Sequence, residues 1–324
     1  TFNTQLNYVS AIDNRELTEL TAESGDVTNM IDNYIKDRIG FRENSIDRYT
    51  ELNDRLFNLM IHPTYTYGKD GYVFFKMSQE SVDTEFIDAF CAYLRKVQDY
   101  CKERGVPFIY CLNPSKITVY EQYLPKGYHY RNAFNKAMVQ ALERYEVNYI
   151  SNESLLKEKS KTEQVYNVKF DAGHWNDLGA FYGTNHILSK VQEEFPDVQL
   201  LKKDDFEISE ITETSLPVSH FEINEKVPLF EDKNAENIKN ITAEYDGISL
   251  DTNYRALFCL VNMEDGAEKL PRVLGFQGSY YNSRTKFFES AFQEYDGIHN
   301  YQNFINFDYY FNIFQPDCVI LETA

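Results

Sequence analysis

The feature that most constrains the fold is an alternation of short apolar runs with apolar residues at helical spacing. A helical pattern over 86–101 is followed by an apolar run over 108–112, and a second helical pattern covers 178–195. Further apolar runs are found at 272–276 and 318–321. Continuously apolar strands that alternate with helices predict a parallel sheet covered on both faces, which is a three-layer α/β fold.

On this pattern the chain divides into three parts. Residues 1–60 are polar with scattered helical periodicity, and we expect a helical segment that packs on the main domain. Residues 61–205 and 266–324 carry the alternation and are predicted to form the α/β domain. Residues 206–265 are rich in Glu, Thr, Asn and isolated β-branched residues without helical periodicity, which predicts a β-rich insertion.

The 324-residue chain has a net charge of −19. Nucleic-acid partners need Lys and Arg to neutralise phosphates, so this charge argues against them and against an anionic membrane surface. It also weakens the case for a strongly anionic polymer as substrate. There is no run of about 18 apolar residues, so we expect no membrane-spanning helix. The chain begins at Thr1 rather than Met, which is consistent with a removed N-terminal segment and leaves an anchor there open.

Five cysteines are present, an odd number whose spacings match no zinc-binding pattern. Cys91 and Cys101 share one predicted helix and lie about 15 Å apart, which is too far for a disulfide. We interpret most of the cysteines as small core residues, and they do not decide the cellular compartment. Neither a metal nor an organic cofactor is expected.

The first chemical signal is a serine at the end of an apolar strand. The strand over 272–276 leads to the pair Gly278-Ser279, and a helix is predicted over 282–295. This is how α/β hydrolytic folds present a nucleophile, with the start of a helix behind it. The N–H groups of Ser279 and of Gly278 or Tyr280 are then candidate oxyanion donors. The alternative is a Gly-Ser loop in which the serine caps the helix.

The second signal is a histidine that follows an aspartate on a predicted loop. His174 lies three residues after Asp171, with Gly173 between them, and Trp175, the single tryptophan of the chain, comes next. Histidine acts as a general base when a carboxylate holds its tautomer and stabilises its charged form, which Asp171 is placed to do. The alternative is a capped loop with an incidental surface histidine.

Both signals lie where a strand or loop leads into a helix, and open α/β sheets bind ligands at this edge. A serine nucleophile needs a base, and the base needs an orienting acid. We therefore expect Ser279, His174 and Asp171 to meet at the carboxyl edge of one sheet, although more than a hundred residues separate the serine from the other two.

Weaker candidates for substrate contact follow other strands. Asn113 and Lys116 come after a predicted strand, and a turn with a solvated lysine is the alternative interpretation. Tyr301 and His299 end another strand, and a core or surface role is the alternative. Aromatic residues make up 15% of the chain; most should build the core, but tyrosines can also line a sugar-binding groove.

This arrangement resembles the SGNH-hydrolase-like family related to the alginate O-acetyltransferases, also called the DHHW family. That family places an Asp-x-His-Trp motif before its serine motif, and the corresponding residues here are Asp171, His174, Trp175 and Ser279. Two departures are visible: Asp and His are three positions apart rather than two, and Gly278 stands where the family often has Asp. Other segments match in order: Phe41-Arg42-Glu43, Gly68-Lys69-Asp70-Gly71-Tyr72, Asn113-Pro114-Ser115-Lys116, 120–125 and 315–322.

The resemblance implies an SGNH-like, flavodoxin-like three-layer sandwich and a serine-dependent O-acyltransferase. Ser279 would attack an acyl donor with His174 as base and Asp171 orienting the ring. The acyl group would then pass to a carbohydrate polymer outside the cytoplasm. Trp175 joins the candidate substrate contacts. Related systems work beside a membrane protein that carries acyl groups across the bilayer, which implies a membrane-bound partner as the source of the donor.

Two alternatives keep the same fold. With water as acceptor, the same triad makes a carbohydrate esterase, because exclusion of water from the site decides between transfer and hydrolysis. Without a working triad, the chain is a non-catalytic carbohydrate-binding or assembly protein, since a fold alone does not guarantee an activity.

Overall fold

The computed structural model describes residues 28, 31, 34, 35, 42–77, 80–217, 219 and 221–324. Of the helical segment expected over 1–60, the described part includes helix α1, Arg42–Phe57. The Tyr67 hydroxyl donates a 2.9 Å hydrogen bond to Asp54 of this helix, which ties α1 to the main domain. The rest of that expectation lies outside the described residues.

Helices and strands alternate along most of the described chain. The strands are β1 (Tyr65–Tyr67), β2 (Val73–Phe75), β3 (Phe108–Leu112), β4 (Tyr149–Ser151), β5 (Phe206–Ser215), β6 (Glu222–Asp232), β7 (Ile238–Asn240), β8 (Leu257–Asn262), β9 (Arg272–Gln277), β10 (Glu294–His299) and β11 (Cys318–Thr323). The helices after α1 are α2 (Thr84–Lys102), α3 (Lys116–Val119), α4 (Ala133–Arg144), α5 (Glu153–Lys159), α6 (Asp177–Val191), α7 (Lys286–Glu289), α8 (Gln302–Ile305) and α9 (Phe307–Phe314). Single 3₁₀ turns cover Lys69–Gly71, Glu121–Tyr123, Lys203–Asp205, Ala235–Asn237, Thr242–Tyr245, Ala267–Lys269 and Ser279–Tyr281.

A seven-stranded sheet forms the centre of the domain, in the order β4-β3-β11-β9-β10-β8-β7. The first five strands pair in parallel, while β8 runs antiparallel to β10 and β7 antiparallel to β8. Strands β3, β9 and β11 are buried along nearly their whole length, which is why their sequences are almost continuously apolar. The predicted α/β fold with a central, mostly parallel sheet is confirmed.

Hydrophobic cores on the two faces of the sheet create the three layers. Neighbouring residues of β11 point to opposite faces, so Ile320 packs in one core with Leu188 of α6, and Val319 packs in the other with Leu94 of α2 and Tyr310 of α9. The five cysteines are free and buried in these cores. None of the described helices is both long and apolar enough to cross a bilayer.

The predicted boundary of the β-rich insertion, 206–265, is wrong at its end. Strands β5 and β6 form a separate two-stranded hairpin, but β7 and β8 belong to the central sheet. Cys259 and Leu260 of β8 are buried, and the strand pairs with β10 along its length. It lies between β10 and β7, so it is an antiparallel strand of the central sheet and not part of a separate domain. The insertion proper is the hairpin over 206–232.

The helix predicted over 282–295 is also wrong. The range holds only the short helix α7, and strand β10 begins before its end. Ser283 has a left-handed backbone with φ of 60°, which ends any regular helix at that point. The apolar spacing that mimics a helix comes from aromatic residues that share one core, such as Phe288 and Tyr295, whose ring centroids lie 4.9 Å apart. The strand that we expect to end at Tyr301 is β10, and it ends at His299.

Candidate active site

Ser279 lies at the carboxyl end of the central strand β9. The strand ends at Gln277, Gly278 continues in an extended conformation, and Ser279 opens the 3₁₀ turn Ser279–Tyr281. This single turn takes the place of the longer helix start expected from the sequence. Because β10 and β11 flank β9 in parallel, the serine lies at the carboxyl edge of the sheet.

His174 and Asp171 lie on the loop before helix α6. Asp171 has a left-handed backbone with φ of 59°, and its Oδ1 accepts hydrogen bonds of 3.0 Å from the N–H groups of Gly173 and His174. This turn folds the loop back on itself, so that the carboxylate oxygens also reach His174 Nδ1 at 2.8 and 3.0 Å. The three-residue spacing is therefore compatible with a direct contact between aspartate and histidine.

His174 Nε2 lies 2.8 Å from Ser279 Oγ, although the residues are 105 positions apart. The structure brings the three predicted residues into one chain of hydrogen bonds. Because Asp171 accepts from Nδ1, that nitrogen carries the proton, and Nε2 accepts from the serine hydroxyl. This is the tautomer that a general base needs. The His174 and Asp171 side chains are 28% and 24% exposed, so the site is open to solvent.

The Asp171 carboxyl group stays charged at neutral pH. Burial raises its pKa, but the hydrogen bond and charge of His174, with the N–H groups of His174 and Gly173, outweigh this and hold the pKa below its ordinary value. A charged carboxylate beside Nδ1 stabilises the imidazolium that forms when His174 takes a proton. In the described ranges, no group of three or more His, Cys, Asp or Glu side chains is arranged to hold a metal ion.

Trp175 and Tyr280 join the histidine loop to the serine turn. Trp175 Nε1 donates to the carbonyl of Tyr280 at 2.9 Å, and the Tyr280 hydroxyl donates to the carbonyl of Gly173 at 3.0 Å. The Tyr280 ring packs edge-on against that of His174, with centroids 5.0 Å apart. Both side chains are buried, Trp175 with 1% exposed, so the expected substrate contact of Trp175 is wrong.

A buried carboxyl group, that of Glu322, lies beneath the serine turn. Its Oε1 accepts a hydrogen bond from the N–H of Gly278, and its Oε2 accepts from Asn113 Nδ2 at 2.7 Å. Burial raises the pKa of Glu322 to about 7, against the lowering effect of these two hydrogen bonds. Glu322 belongs to β11, so the sheet itself brings it next to the end of β9.

This network changes two sequence predictions. The N–H of Gly278 is engaged by Glu322 and is not free for an oxyanion. Asn113 is 1% exposed and faces Glu322 and Asn152 rather than a substrate. The N–H groups of Ser279 and Tyr280 donate to no acceptor in the described part of the chain, so they are the remaining candidate oxyanion donors.

Lys116 is fully buried, so it contacts neither substrate nor solvent. Its Nζ donates to three backbone carbonyls: those of Val73 at 2.8 Å, Val168 at 3.0 Å and Asp171 at 3.3 Å. Burial lowers the pKa of Lys116 to about 7. The expected substrate role is wrong, and the residue instead supports the backbone next to the triad aspartate.

Tyr301 is 56% exposed and follows β10 at the same edge of the sheet as Ser279. The centroid of its ring lies 4.7 Å from that of Tyr254 and 4.9 Å from that of His299. The rings of Tyr254 and His299 stack on each other with centroids 4.7 Å apart. We call these three residues the aromatic platform. His299 pairs with Gln277, two residues before Ser279, so the platform starts on the strand next to the serine strand. Of the predicted substrate contacts, Tyr301 has the side chain most open to solvent.

Sequence reasoning missed Glu322 and Glu225. A signal for Glu322 was available, because an acidic residue in an otherwise apolar central strand must lie at an edge or have partners. Glu225 of β6 accepts hydrogen bonds from the N–H groups of the three residues before Asp171. No local pattern marks it, since only tertiary packing brings the hairpin to this loop.

Comparison with known proteins agrees with this fold. The family model described as SGNH hydrolase-like domain, acetyltransferase AlgX, matches residues 66–263, which is more than half of the chain. The matched range contains the loop with Asp171 and His174 and ends before Ser279. No curated protein sequence matches the chain significantly.

Solved structures of low sequence identity share the fold. Bacillus cereus PatB1 with a sulfonyl adduct is 15% identical with a TM-score of 0.59, and the match covers 80% of this chain and 92% of that one. The O-acetyltransferase domain of Pseudomonas putida AlgJ is 14% identical with a TM-score of 0.52, covering 80% and 90%. A DHHW family protein from Eubacterium siraeum is 13% identical with a TM-score of 0.52, covering 80% and 93%. The chain belongs to the SGNH hydrolase-like domain family of the acetyltransferase AlgX.

Proposed function

We propose that the chain is an O-acyltransferase that forms an acyl-enzyme on Ser279 and passes the acyl group, an acetyl group, to a carbohydrate polymer. The observation that carries this proposal is the 2.8 Å contact between Ser279 Oγ and His174 Nε2, with Asp171 bound to the other ring nitrogen. A non-catalytic binding protein has no need of this chain of hydrogen bonds, so the geometry favours catalysis. Family membership supports acetyl as the transferred group.

In the first step, Ser279 Oγ forms a bond to the carbonyl carbon of the acyl donor while its proton moves to His174 Nε2. The carbonyl oxygen becomes an oxyanion, for which the N–H groups of Ser279 and Tyr280 are the candidate donors. The imidazolium, stabilised by Asp171, returns the proton to the leaving group as the bond between the acyl carbon and the donor breaks.

In the second step, an acceptor hydroxyl gives its proton to His174 Nε2 while its oxygen bonds to the acyl carbon. The bond to Ser279 Oγ then breaks, and the serine recovers the proton from the imidazolium. The products are an ester on the acceptor and the free enzyme, so the cycle needs no oxidant, reductant or cofactor.

The aromatic platform supports a sugar acceptor. Tyrosine and histidine rings combine an apolar face with a polar edge, which suits the apolar faces and hydroxyl groups of a sugar ring. Gln277 pairs with His299 across β9 and β10, so a sugar on the platform lies near Ser279. The net charge of −19 favours a neutral polymer over a strongly anionic one.

The family resemblance supports the setting of the reaction. We assign the enzyme to the outside of the cytoplasm, where a carbohydrate polymer is accessible, either secreted or held by an N-terminal anchor. We assign the supply of acyl groups to a membrane-bound acyltransferase partner that moves them across the bilayer.

A carbohydrate esterase is the second candidate function. It uses the same triad with water as acceptor, and the 28% exposure of the His174 side chain shows that water reaches the base. The two functions differ in whether a bound sugar hydroxyl captures the acyl group before water does.

The test uses p-nitrophenyl acetate as donor and chitopentaose as a neutral acceptor. We expect release of p-nitrophenol above the spontaneous rate, an acetylated serine peptide by mass spectrometry and acetylated oligosaccharide, and none of these in Ser279→Ala. Acetate release that the acceptor does not reduce would favour the esterase. The matched control is Ser189→Ala, because Ser189 is an exposed serine on helix α6. Equal activity of Ser279→Ala and the wild type would overturn the proposal.

A further inference from the structure

One carboxylate holds three consecutive backbone N–H groups directly before the triad aspartate. Glu225 accepts hydrogen bonds from Val168 N–H at 2.6 Å, Lys169 N–H at 2.8 Å and Phe170 N–H at 2.5 Å. Successive N–H groups that converge in this way form a concave site for an anion. The carboxylate comes from β6, a strand of the 206–232 hairpin, which is remote in sequence from the loop.

The buried side chain of Lys116 holds the carbonyl side of the same segment. Lys116 Nζ donates to the carbonyls of Val168 and Asp171, and also to that of Val73 in the neighbouring strand β2. Val168 O additionally accepts from Val73 N–H at 2.8 Å, so the segment is tied to β2 as well. Lys116 is 0% exposed, and its three partners are peptide oxygens rather than a carboxylate. A buried amine and a carboxylate thus bind opposite polar groups of one short stretch of backbone.

This stretch has no regular secondary structure of its own to fix it. Residues 168–171 lie in a loop, and Asp171 has the left-handed backbone that aims its carboxylate at His174. An aspartate that moves by about 1 Å loses the hydrogen bond that orients the imidazole, and such misplacement costs about 100-fold in rate. The groups that fix this backbone therefore control the geometry of the triad.

The hairpin also reaches the other end of the same loop. Phe230 N–H of β6 donates to Asp177 Oδ2 at 3.1 Å, and Asp177 is the first residue of helix α6. Arg284 and Lys286 pair with the same carboxylate at 3.1 and 2.6 Å, so this end is fixed between the hairpin and the chain that follows the serine. The hairpin thus contacts the loop on both sides of Asp171 and His174.

We propose that Glu225 and Lys116 are positioning residues that hold the backbone of residues 168–171 from its N–H side and its carbonyl side, and so set the Asp171–His174 contact for acyl transfer. We call this pair the backbone clamp. The proposal rests on the proposed function and deepens it. It makes the 206–232 hairpin part of the catalytic apparatus through its contacts with the loop rather than with the reacting atoms.

The test compares Glu225→Gln and Lys116→Met with two controls on β6, the strand of Glu225. The controls are Glu222→Gln and Lys226→Met. Glu222 and Lys226 are exposed, so their replacement changes charge without touching the loop. With p-nitrophenyl acetate, we expect kcat of each clamp variant to fall about 10- to 100-fold while KM changes little, because the aspartate is displaced and the donor site is not. The controls should retain the wild-type kcat.

Two further readouts separate positioning from a loss of stability. The proton between His174 Nδ1 and Asp171 gives a low-field ¹H NMR resonance, which we expect to shift or disappear in the clamp variants and to persist in the controls. In an Asp171→Asn background, adding Glu225→Gln should lower kcat by less than about twofold, because both changes act through the same aspartate. If Lys116→Met does not fold, Glu225→Gln, which keeps the size of the side chain, carries the test.

A lower thermal unfolding temperature with unchanged kcat and an unchanged low-field resonance would overturn the clamp. The clamp would also be overturned if Glu225→Gln lowered kcat in the Asp171→Asn background by as much as it does in the wild type. Failure of the proposed function is distinguishable, because it appears as Ser279-independent turnover. The NMR resonance is measured without turnover, so it tests the clamp whether or not the proposed function is correct.

Discussion

Glu322 accepts a hydrogen bond from the N–H of Gly278, the residue that precedes the candidate nucleophile. A Cβ atom on Gly278 would lie 3.0 Å from Glu322 Oε1 and 3.1 Å from Asn300 Nδ2. The carboxyl group of Glu322 therefore occupies the space next to residue 278 where the family often has an aspartate side chain. This explains why the serine motif departs from the family pattern without disturbing the triad.

The first prediction concerns this exchange of carboxyl groups. We expect Gly278→Asp to lower the free energy of unfolding by about 3 kcal/mol, because it buries a second carboxylate against Glu322. Gly278→Ala, which adds only the crowded methyl group, should cost about 1 kcal/mol. In a Glu322→Gln background, Gly278→Asp should lower the free energy of unfolding by clearly less, because the repulsion between the two carboxylates is gone. Urea unfolding at pH 8 measures all three, and equal costs of Gly278→Asp in both backgrounds would contradict the interpretation.

The second prediction is a pH dependence of stability from Glu322. Burial raises its pKa from 4.5 to about 7, so the folded state binds a proton that the unfolded state has lost in this range. Its stabilising contribution is complete below about pH 4.5 and is lost as the pH rises through 7, by about 3 kcal/mol. Asp296, whose pKa is also raised to about 7, acts in the same direction.

Comparison of Glu322→Gln with the wild type isolates the contribution of Glu322. Between pH 5 and 8, the free energy of unfolding from urea titrations should fall more steeply in the wild type than in the variant. Asp296→Asn serves as the control for the second buried carboxyl group. Parallel pH profiles of the wild type and Glu322→Gln would rule out the raised pKa.

The third prediction separates the charge of Asp171 from its backbone role. Asparagine tolerates the left-handed backbone at φ of 59° and can still accept from the two loop N–H groups, so Asp171→Asn should fold normally. Its amide favours the wrong tautomer of His174, and we expect kcat to fall about 10³- to 10⁴-fold. Asp171→Ala should lose activity and also about 1 to 2 kcal/mol of stability, because alanine is strained there. Retention of kcat by Asp171→Asn within about tenfold would remove Asp171 from the triad.

The meeting of Ser279 and His174 could be predicted from the sequence, because it follows from the sheet. Apolar runs alternate with helical patterns, and the carboxyl ends of parallel strands share one edge. A serine after one strand and a histidine loop before a helix are therefore brought to the same side of the molecule. The prediction needed no knowledge of the loops between them.

The role of Lys116 could not be predicted in the same way, because distant segments bury its side chain. The carbonyl partners of Lys116 come from β2 and from the loop before Asp171, and its local sequence resembles a solvated turn. For Trp175 a signal existed: Gly179 and Gly183 lie four residues apart on α6, and a Cβ on Gly183 would lie 2.5 Å from the indole ring. Two glycines on the helix that follows a tryptophan indicate a ring packed on the helix, which excludes a substrate contact.

The last prediction concerns the backbone of Tyr301, which has φ of 46° and ψ of −122°. Asn303 N–H donates to Asn300 O at 3.1 Å, so Tyr301 occupies the second position of a type II′ turn, where glycine is normally found. Tyr301→Gly should therefore be more stable than Tyr301→Ala by about 1 kcal/mol, because both lose the ring and only glycine relieves the strain. If the ring binds the acceptor, both variants should lose transfer to chitopentaose while the acetylation of Ser279 by p-nitrophenyl acetate is unchanged. Thermal unfolding measures the stability difference, and the rates of Ser279 acetylation and of transfer to chitopentaose measure the effect on function. Transfer at the wild-type rate in both variants would exclude Tyr301 from the acceptor site.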